Sequence, residues 1–278
     1  RILPRINEEV NEEWISDKSR FACDGLKRQR LDRPFVRQNG NLQEVSWDEA
    51  FQAILEATKE VDGKAIAAIA GNLADCESML ALRDLMHRLG SQNIDCRQDG
   101  AKLDPTVRAS YLFNSTIAGI SEANALLLVG CNPRIEAPVL NARIRKRWIA
   151  GDFPVGVIGE DIDLTYPTKY IGNSARALET IAAGKGTFGA ILKKAHQPMI
   201  IVGQDALTGK DGALVLGLAR RVAEKLGMVY SGWNGFHVLH TAASRVGGLD
   251  LGFVPEKDGC NVSEILSGAS SGQIKVLY

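Results

Sequence analysis

The sequence predicts an α/β protein built on doubly wound parallel sheets of Rossmann type, preceded by a small irregular β segment. Three observations carry that expectation. An apolar run ending in glycine, then a polar turn, then an amphipathic helix recur in the same order at 65–89, 125–148 and 199–226. The apolar runs are apolar at every position rather than at alternate ones, the pattern of strands covered on both faces. The chain has 278 residues, enough to bury one or two cores of this kind.

Residues 1 to about 47 are charge-rich and irregular, with Pro4, Pro34, a basic run at 27–33 and a Gly40-Asn41 turn, so short strands and loops are expected there. At Ser46 the pattern changes. Ser46 followed by Glu49 is a capping box, and Trp47, Ala50, Phe51, Ile54 and Leu55 recur at helical spacing, predicting a helix to about Glu60. A strand at 65–71 and a helix at 74–89 follow. The second unit pairs a strand at 125–130 with a helix at 137–148. Further strands are expected at 155–158 and 169–171 and a helix at 175–183. The third unit joins a strand at 199–203 to a helix at 212–226. No low-complexity tract or solenoid repeat interrupts the series. In this architecture ligands bind beyond the carboxyl ends of the strands.

Composition removes several function classes. There are 33 Lys and Arg against 33 Asp and Glu, a formal net charge of zero, so the basic excess that neutralises phosphates is missing and no nucleic-acid partner is expected. The longest apolar stretches, at 123–129 and 199–202, fall far short of the roughly 20 residues that cross a bilayer, so no direct membrane insertion is expected. Cys23, Cys76, Cys96, Cys131 and Cys260 are scattered, without the short C-x2-C-like turn that cluster and zinc sites use. An odd count and no secretory signal predict free, mostly buried thiols in a reducing compartment. The sequence starts at Arg1 without Met and ends at 274–278 in what reads as a strand in mid-run, so both termini are expected to be cuts in a longer chain.

Gly130-Cys131-Asn132-Pro133 joins a strand to a helix, where glycine permits close backbone approach and free N–H groups could receive a nucleotide phosphate. It is not a G-x-G-x-x-G fingerprint, and an ordinary βα turn uses the same residues. Asp161 and Asp163 flank an apolar Ile162 as loop-edge acids do. His87 and His196 are expected on helix surfaces. His237 and His240, three apart, suit a packed helix better than a metal site, for which no third ligand can be named. Arg143, Arg145, Lys146 and Arg147 suit a solvated helix face better than an anion site. Cys96 beside Asp95 and Arg97 is expected in a loop, with a weak claim to nucleophilicity. No residue is assigned a catalytic or metal-binding role.

The stretch from Leu3-Pro4-Arg5-Ile6-Asn7 through Trp14-Ile15-Ser16-Asp17-Lys18, and on through Asp24-Gly25-Leu26 to Arg30-Leu31, closely resembles the large iron–sulfur subunit of respiratory NADH:quinone oxidoreductase, complex I. So do Asn114-Ser115-Thr116-Ile117-Ala118-Gly119, Leu127-Leu128-Val129-Gly130-Cys131-Asn132-Pro133-Arg134, 136–146, 161–166 and 249–252. The resemblance implies the molybdopterin oxidoreductase-like region of that subunit. It implies a small leading domain at 1–48, a degenerate 4Fe-4S domain, and an α/β domain at 101–189 inserted into another made of 49–100 and 190–278. In the related molybdopterin enzymes a Gly-x-Asn-Pro turn touches the nucleotide half of the cofactor. Gly130, Asn132 and Pro133 are therefore vestigial cofactor-binding candidates, and Cys96 lies loosely where an active-site Cys would be.

The resemblance further implies that the family's 2Fe-2S and 4Fe-4S clusters lie N-terminal to this segment, which would itself carry no cofactor and be a structural scaffold, inactive alone. The full subunit would relay electrons from NADH, by way of flavin on a neighbouring subunit, toward quinone. Its expected partners are the other peripheral-arm subunits, the flavin subunit included. Its expected place is the cytoplasmic side of a bacterial inner membrane or the mitochondrial matrix side, within a membrane-bound complex. A working molybdopterin-dependent oxidoreductase such as formate dehydrogenase, and a nucleotide-binding module, are the alternatives.

Overall fold

A computed structural model describes residues 2–278. The chain opens with an extended stretch, a five-residue helix α1 (Asp17–Phe21) and a hairpin of β1 (Phe35–Gln38) and β2 (Asn41–Glu44). No residue from 2 to 49 is buried. Helix α2 (Trp47–Thr58) then starts at the expected capping box, with the Ser46 N–H donating to Glu49 at 2.8 Å. Next come β3 (Ile66–Ile69), α3 (Cys76–Arg88), capped by Asp75, and β4 (Ile94–Asp95).

The second stretch contains β5 (Ala125–Val129), a single turn α4 (Pro133–Glu136), α5 (Pro138–Ile149), β6 (Val155–Ile158), β7 (Lys169–Gly172), α6 (Ala175–Ala182) and α7 (Thr187–Lys194). After it follow β8 (Pro198–Val202), α8 (Gln204–Thr208), α9 (Gly212–Lys225), the short pair β9 (Val229–Tyr230) and β10 (Trp233–Asn234), and β11 (Phe236–Val238). Helices α10 (Arg245–Asp250) and α11 (Val262–Ser271) and strand β12 (Val276–Leu277) complete the fold.

The larger sheet has the order β11-β8-β5-β6-β7 and is parallel throughout. The chain winds outward from β5 to β7, then crosses to the other side of β5 for β8 and β11. Its central strands are buried on both faces, as their unbroken apolar sequence requires. Leu127, Val129 and Ile200 face Leu178, Phe188 and Val222 from α6, α7 and α9. Leu126, Leu128 and Met199 face Leu140 and Ile144 from α5. The smaller sheet, β12-β3-β4, is also parallel. Ile66 and Ala68 pack with Met79 and Met86 of α3, and Ala67 with Ile265 of α11.

The sheets divide the chain elsewhere than at 189/190. Ala125–Val129 pairs along its whole length with 198–202, so β8 and β11 belong to the sheet expected to end at 189. The smaller sheet takes its strands from residues up to 95 and from the last few residues. The helix expected around His237 and His240 is also absent: Phe236, His237 and Val238 form β11, pairing with 200–202, because three large side chains there fill the open edge of a buried sheet.

The basic face of α5 is not simply solvated. Arg143 is buried, donates to the Glu8 carbonyl and lies 3.5 Å from the Glu12 carboxylate, which also receives Lys146 at 3.1 Å. Arg147 donates to the Ala123 and Gly151 carbonyls and stacks over the Phe153 ring. The helix thus clasps the opening stretch of the chain. Arg143→Ala is expected to release that stretch: cleavage between residues 5 and 16 by a low dose of protease should speed up several-fold, while the bulk unfolding transition moves little. An unchanged cleavage rate would show the clasp to be idle.

Candidate functional site

The turn after β5 forms because the strand must end against α8. Gly130 has φ +51°, a left-handed value that glycine adopts freely, and a Cβ built on it would meet the Ala206 Cβ at 2.5 Å and the Ala206 nitrogen at 2.7 Å. Pro133 fills the first helical position of α4, where its missing N–H costs nothing. Beyond this turn, at the carboxyl ends of β5 and β6, lies a cleft of about 310 Å³. The topological crossover between β5 and β8 opens it, as doubly wound sheets do. Gly130 and Asn132 line it directly, while Pro133 is buried and is not part of the lining.

The charged residues of the lining are all acidic. Glu136 accepts from the Asn132 N–H at 2.5 Å through one carboxylate oxygen, while the other oxygen and the Asn132 Oδ1 are buried without a partner. Glu136 stands outside the lining, whose polar members are Asn132, Glu160, Asn173, Ser174 at the start of α6, Asp205 and Asp211, with no Lys or Arg among the described lining residues. Burial raises the Glu136 pKa, the nearby Asp205 adds to the rise, and the Asn132 N–H partly offsets it. The charged groups of the wall are all acidic, and the Asn132 N–H at the turn is already taken by the Glu136 carboxylate.

Sequence reasoning found Gly130, Asn132 and Pro133 but missed the three carboxylates of the lining, Glu160, Asp205 and Asp211, and Glu136, which is bonded to Asn132. Glu160 had a signal: it follows the second strand of a βαβ unit, where dinucleotide folds often place an acid. Glu136, Asp205 and Asp211 had none, since only the fold brings 136, 205 and 211 together. The other candidates do not converge on this cleft. Asp163 is exposed and pairs with Arg134 at 3.0 Å. His196 is exposed after α7, while His87 is half-buried rather than at the surface, with its Nε2 lacking a partner. Cys96 follows β4 directly and is buried against Gly248, and burial pushes its thiol up to about 12, which removes it as a nucleophile. Among the described residues no group of three or more His, Cys, Asp or Glu could hold a metal ion.

His237 and His240 take structural places. His237 stacks on Phe113 at 4.2 Å with its Nε2 3.2 Å from the Ser115 hydroxyl, and its Nδ1 is unpartnered. His240 donates through Nε2 to the Tyr111 carbonyl at 2.7 Å.

A family model described as "Molybdopterin oxidoreductase" matches residues 30–278, and one described as "NADH-ubiquinone oxidoreductase NDSU1/NuoG-like, 4Fe-4S domain" matches residues 1–24. The G subunit of the NADH-quinone oxidoreductase of Rickettsia bellii (strain RML369-C) is 46% identical over 253 residues, 91% of this chain and 37% of that protein. Its namesake in Rickettsia prowazekii (strain Madrid E) is 47% identical over 253 residues, again 91% of this chain and 38% of that protein. The chain thus spans less than two-fifths of the length of these curated relatives.

Two outcomes follow from the geometry. Gly130→Val forces a β-branched residue into a left-handed backbone and against Ala206, and should lower stability by about 2–4 kcal/mol, read as a drop in the denaturant midpoint. A midpoint within error of the parent would refute the close approach. Burial holds the His237 imidazole down at about 3, against an ordinary 6.5, so unfolding in acid takes up a proton there. That site's contribution is whole above about pH 6.5 and erodes as pH falls toward 3. His237→Phe should flatten the acid limb of the stability curve over this window, and an unaltered slope would count against it.

Proposed function

The chain belongs to the molybdopterin oxidoreductase family, and from that premise we propose that it is a cofactor-free scaffold within the G-type iron–sulfur subunit of an NADH-quinone oxidoreductase. The observation that carries the reading is the cleft at Gly130. A dinucleotide seated there would bring its pyrophosphate among Glu160, Asp205 and Asp211, with no Lys or Arg in the described lining to answer it. Like charges at 4 Å repel by about 4 kcal/mol where the effective dielectric constant is near 20. That charge speaks against the family's pterin dinucleotide at this cleft, and no step of chemistry is assigned to it.

The opening segment supports the same view. A four-thiolate cluster needs four cysteines, and residues 1–24, which match a 4Fe-4S domain, contain Cys23 alone. Clusters of the whole subunit would therefore be held by residues outside this segment, and electrons from NADH would pass through them, from flavin on a neighbouring subunit toward quinone. The partners are then the other peripheral-arm subunits, the flavin subunit among them. No helix among the described residues is long and apolar enough to cross a membrane. Attachment would run through other subunits, on the cytoplasmic face of a bacterial inner membrane or the matrix face of a mitochondrial one.

Metal and nucleotide analysis separates this from a working molybdenum enzyme. The purified chain is expected to be colourless, free of iron and molybdenum, to release no guanine nucleotide on denaturation and to leave NADH unoxidised. In assembled complexes carrying Gly130→Val, quinone reduction per complex should match the parent while the amount of complex falls. Stoichiometric molybdenum, or a loss of turnover per complex at normal subunit content, would overturn the scaffold reading.

A further inference from the structure

The carboxyl ends of strands from both sheets meet at one spot. His240 follows β11 and Gln204 follows β8, so both belong to the larger sheet, while Asp99 follows β4 of the smaller one. Arg245 of α10 stands between them, 1% exposed. Its neighbour Ser244 donates to the Gly71 carbonyl beyond β3, which ties α10 to the smaller sheet. One guanidinium nitrogen pairs with Asp99 at 3.0 Å, and another reaches the Gln204 Oε1 at 3.4 Å. The Arg245 Nε finds no partner among the described residues.

Donor and acceptor roles along this chain of contacts are forced. Gln204 donates through Nε2 to the Leu239 carbonyl at 2.8 Å while its Oε1 faces Arg245. Reversing the amide would set two acceptors together at one end and two donors at the other. The second amide hydrogen therefore serves His240 Nδ1, 3.4 Å away, which must accept it. His240 Nε2 lies 2.7 Å from the Tyr111 carbonyl, which can only accept, so Nε2 must donate. The neutral imidazole with its proton on Nε2 is the one form that satisfies both contacts.

We propose that His240, Gln204 and Arg245 form an acid-sensitive latch between the two sheets. A proton on Nδ1 sets a donor against the Gln204 amide nitrogen. If the amide turns to offer Oε1 instead, the Leu239 carbonyl loses its donor and Arg245 faces an NH2 group. Either arrangement strands an enclosed polar group, and in the second the guanidinium keeps Asp99 alone. The charged groups around the ring are Arg245 from α10, Asp99 from the loop after β4, and Arg5 of the opening stretch, which lines the same groove as His240. The Tyr111 hydroxyl is bonded to Asp250, itself paired with Arg108. Burial above all holds the His240 pKa below the usual 6.5; the Tyr111 carbonyl pulls it up, Arg245 pushes it down and Asp99 raises it. The latch is therefore whole above about pH 6.5 and loosens as pH falls toward the lowered value.

Imidazole NMR on the isotope-labelled chain, paired with hydrogen exchange, tests the latch. At about pH 8 His240 is expected as the tautomer with its proton on Nε2. The Lys102 N–H, which donates from the loop after β4 to the Leu207 carbonyl of α8 at 2.9 Å, reports whether the joint is closed. Lowering the pH through the His240 midpoint should speed Lys102 exchange at least about tenfold relative to its intrinsic rate, while Leu127 inside β5 stays protected. Gln204→Glu gives the protonated ring an acceptor that also keeps Arg245. It should raise the His240 midpoint and hold Lys102 protected through it. His240→Phe should abolish the acid step at Lys102. The latch is overturned by a proton on Nδ1 at about pH 8 or by a ring that stays neutral down to global unfolding. Level Lys102 protection across the midpoint, the same acid step in His240→Phe, or an unmoved midpoint in Gln204→Glu overturns it equally.

Discussion

A parallel sheet survives only when both of its faces are covered, and that requirement organises most of this molecule. β5 and β8 are buried at every position, so helices must pass over each face, and the chain can supply them only by crossing from one side of β5 to the other. α6, α7 and α9 cover one face and α5 the other. The crossover leaves a gap beyond the strand ends, and the cleft at Gly130 is that gap. The site is thus a by-product of the sheet before it is anything chemical.

What the sequence disclosed follows from the same constraint. Runs such as Ala125–Val129 and Pro198–Val202, apolar throughout, announce buried strands without any partner in view, and the Ser46–Glu49 box marked the start of α2 through purely local hydrogen bonds. Pairing is not local. Nothing within 190–238 reveals that β8 lies against β5 rather than β3, so the sheet begun within 101–189 is completed by strands from beyond it. Three-residue β11 was too short to show its alternation, and two histidines spaced for a helix turned out to flank a strand end. The carboxylates of the cleft come from two separate parts of the chain, after β6 and after β8, and only the fold brings them together.

The two sheets are joined by a polar seam as well as by shared apolar contacts. Arg245 of α10, 1% exposed, pairs with Asp99 at 3.0 Å and reaches Gln204, which follows β8. Gln204 donates to the Leu239 carbonyl, and Ser244 donates to the Gly71 carbonyl. A guanidinium so deeply enclosed is tolerable only while its carboxylate stays in place. Separating the sheets would strand that charge, so the seam fixes their relative position more strictly than apolar packing could.

The close approach of Gly130 to Ala206 has a bearing on how such chains are interpreted through time. A glycine there is demanded by one backbone pressing on another, whatever occupies the space beyond. Selection for a well-formed core is therefore enough to preserve the strand–glycine–helix signature long after any cargo has gone. Inherited turns of this sort record the ancestry of a scaffold. Cargo is better judged from the side chains that ring the opening, which are free to drift once nothing depends on their charge.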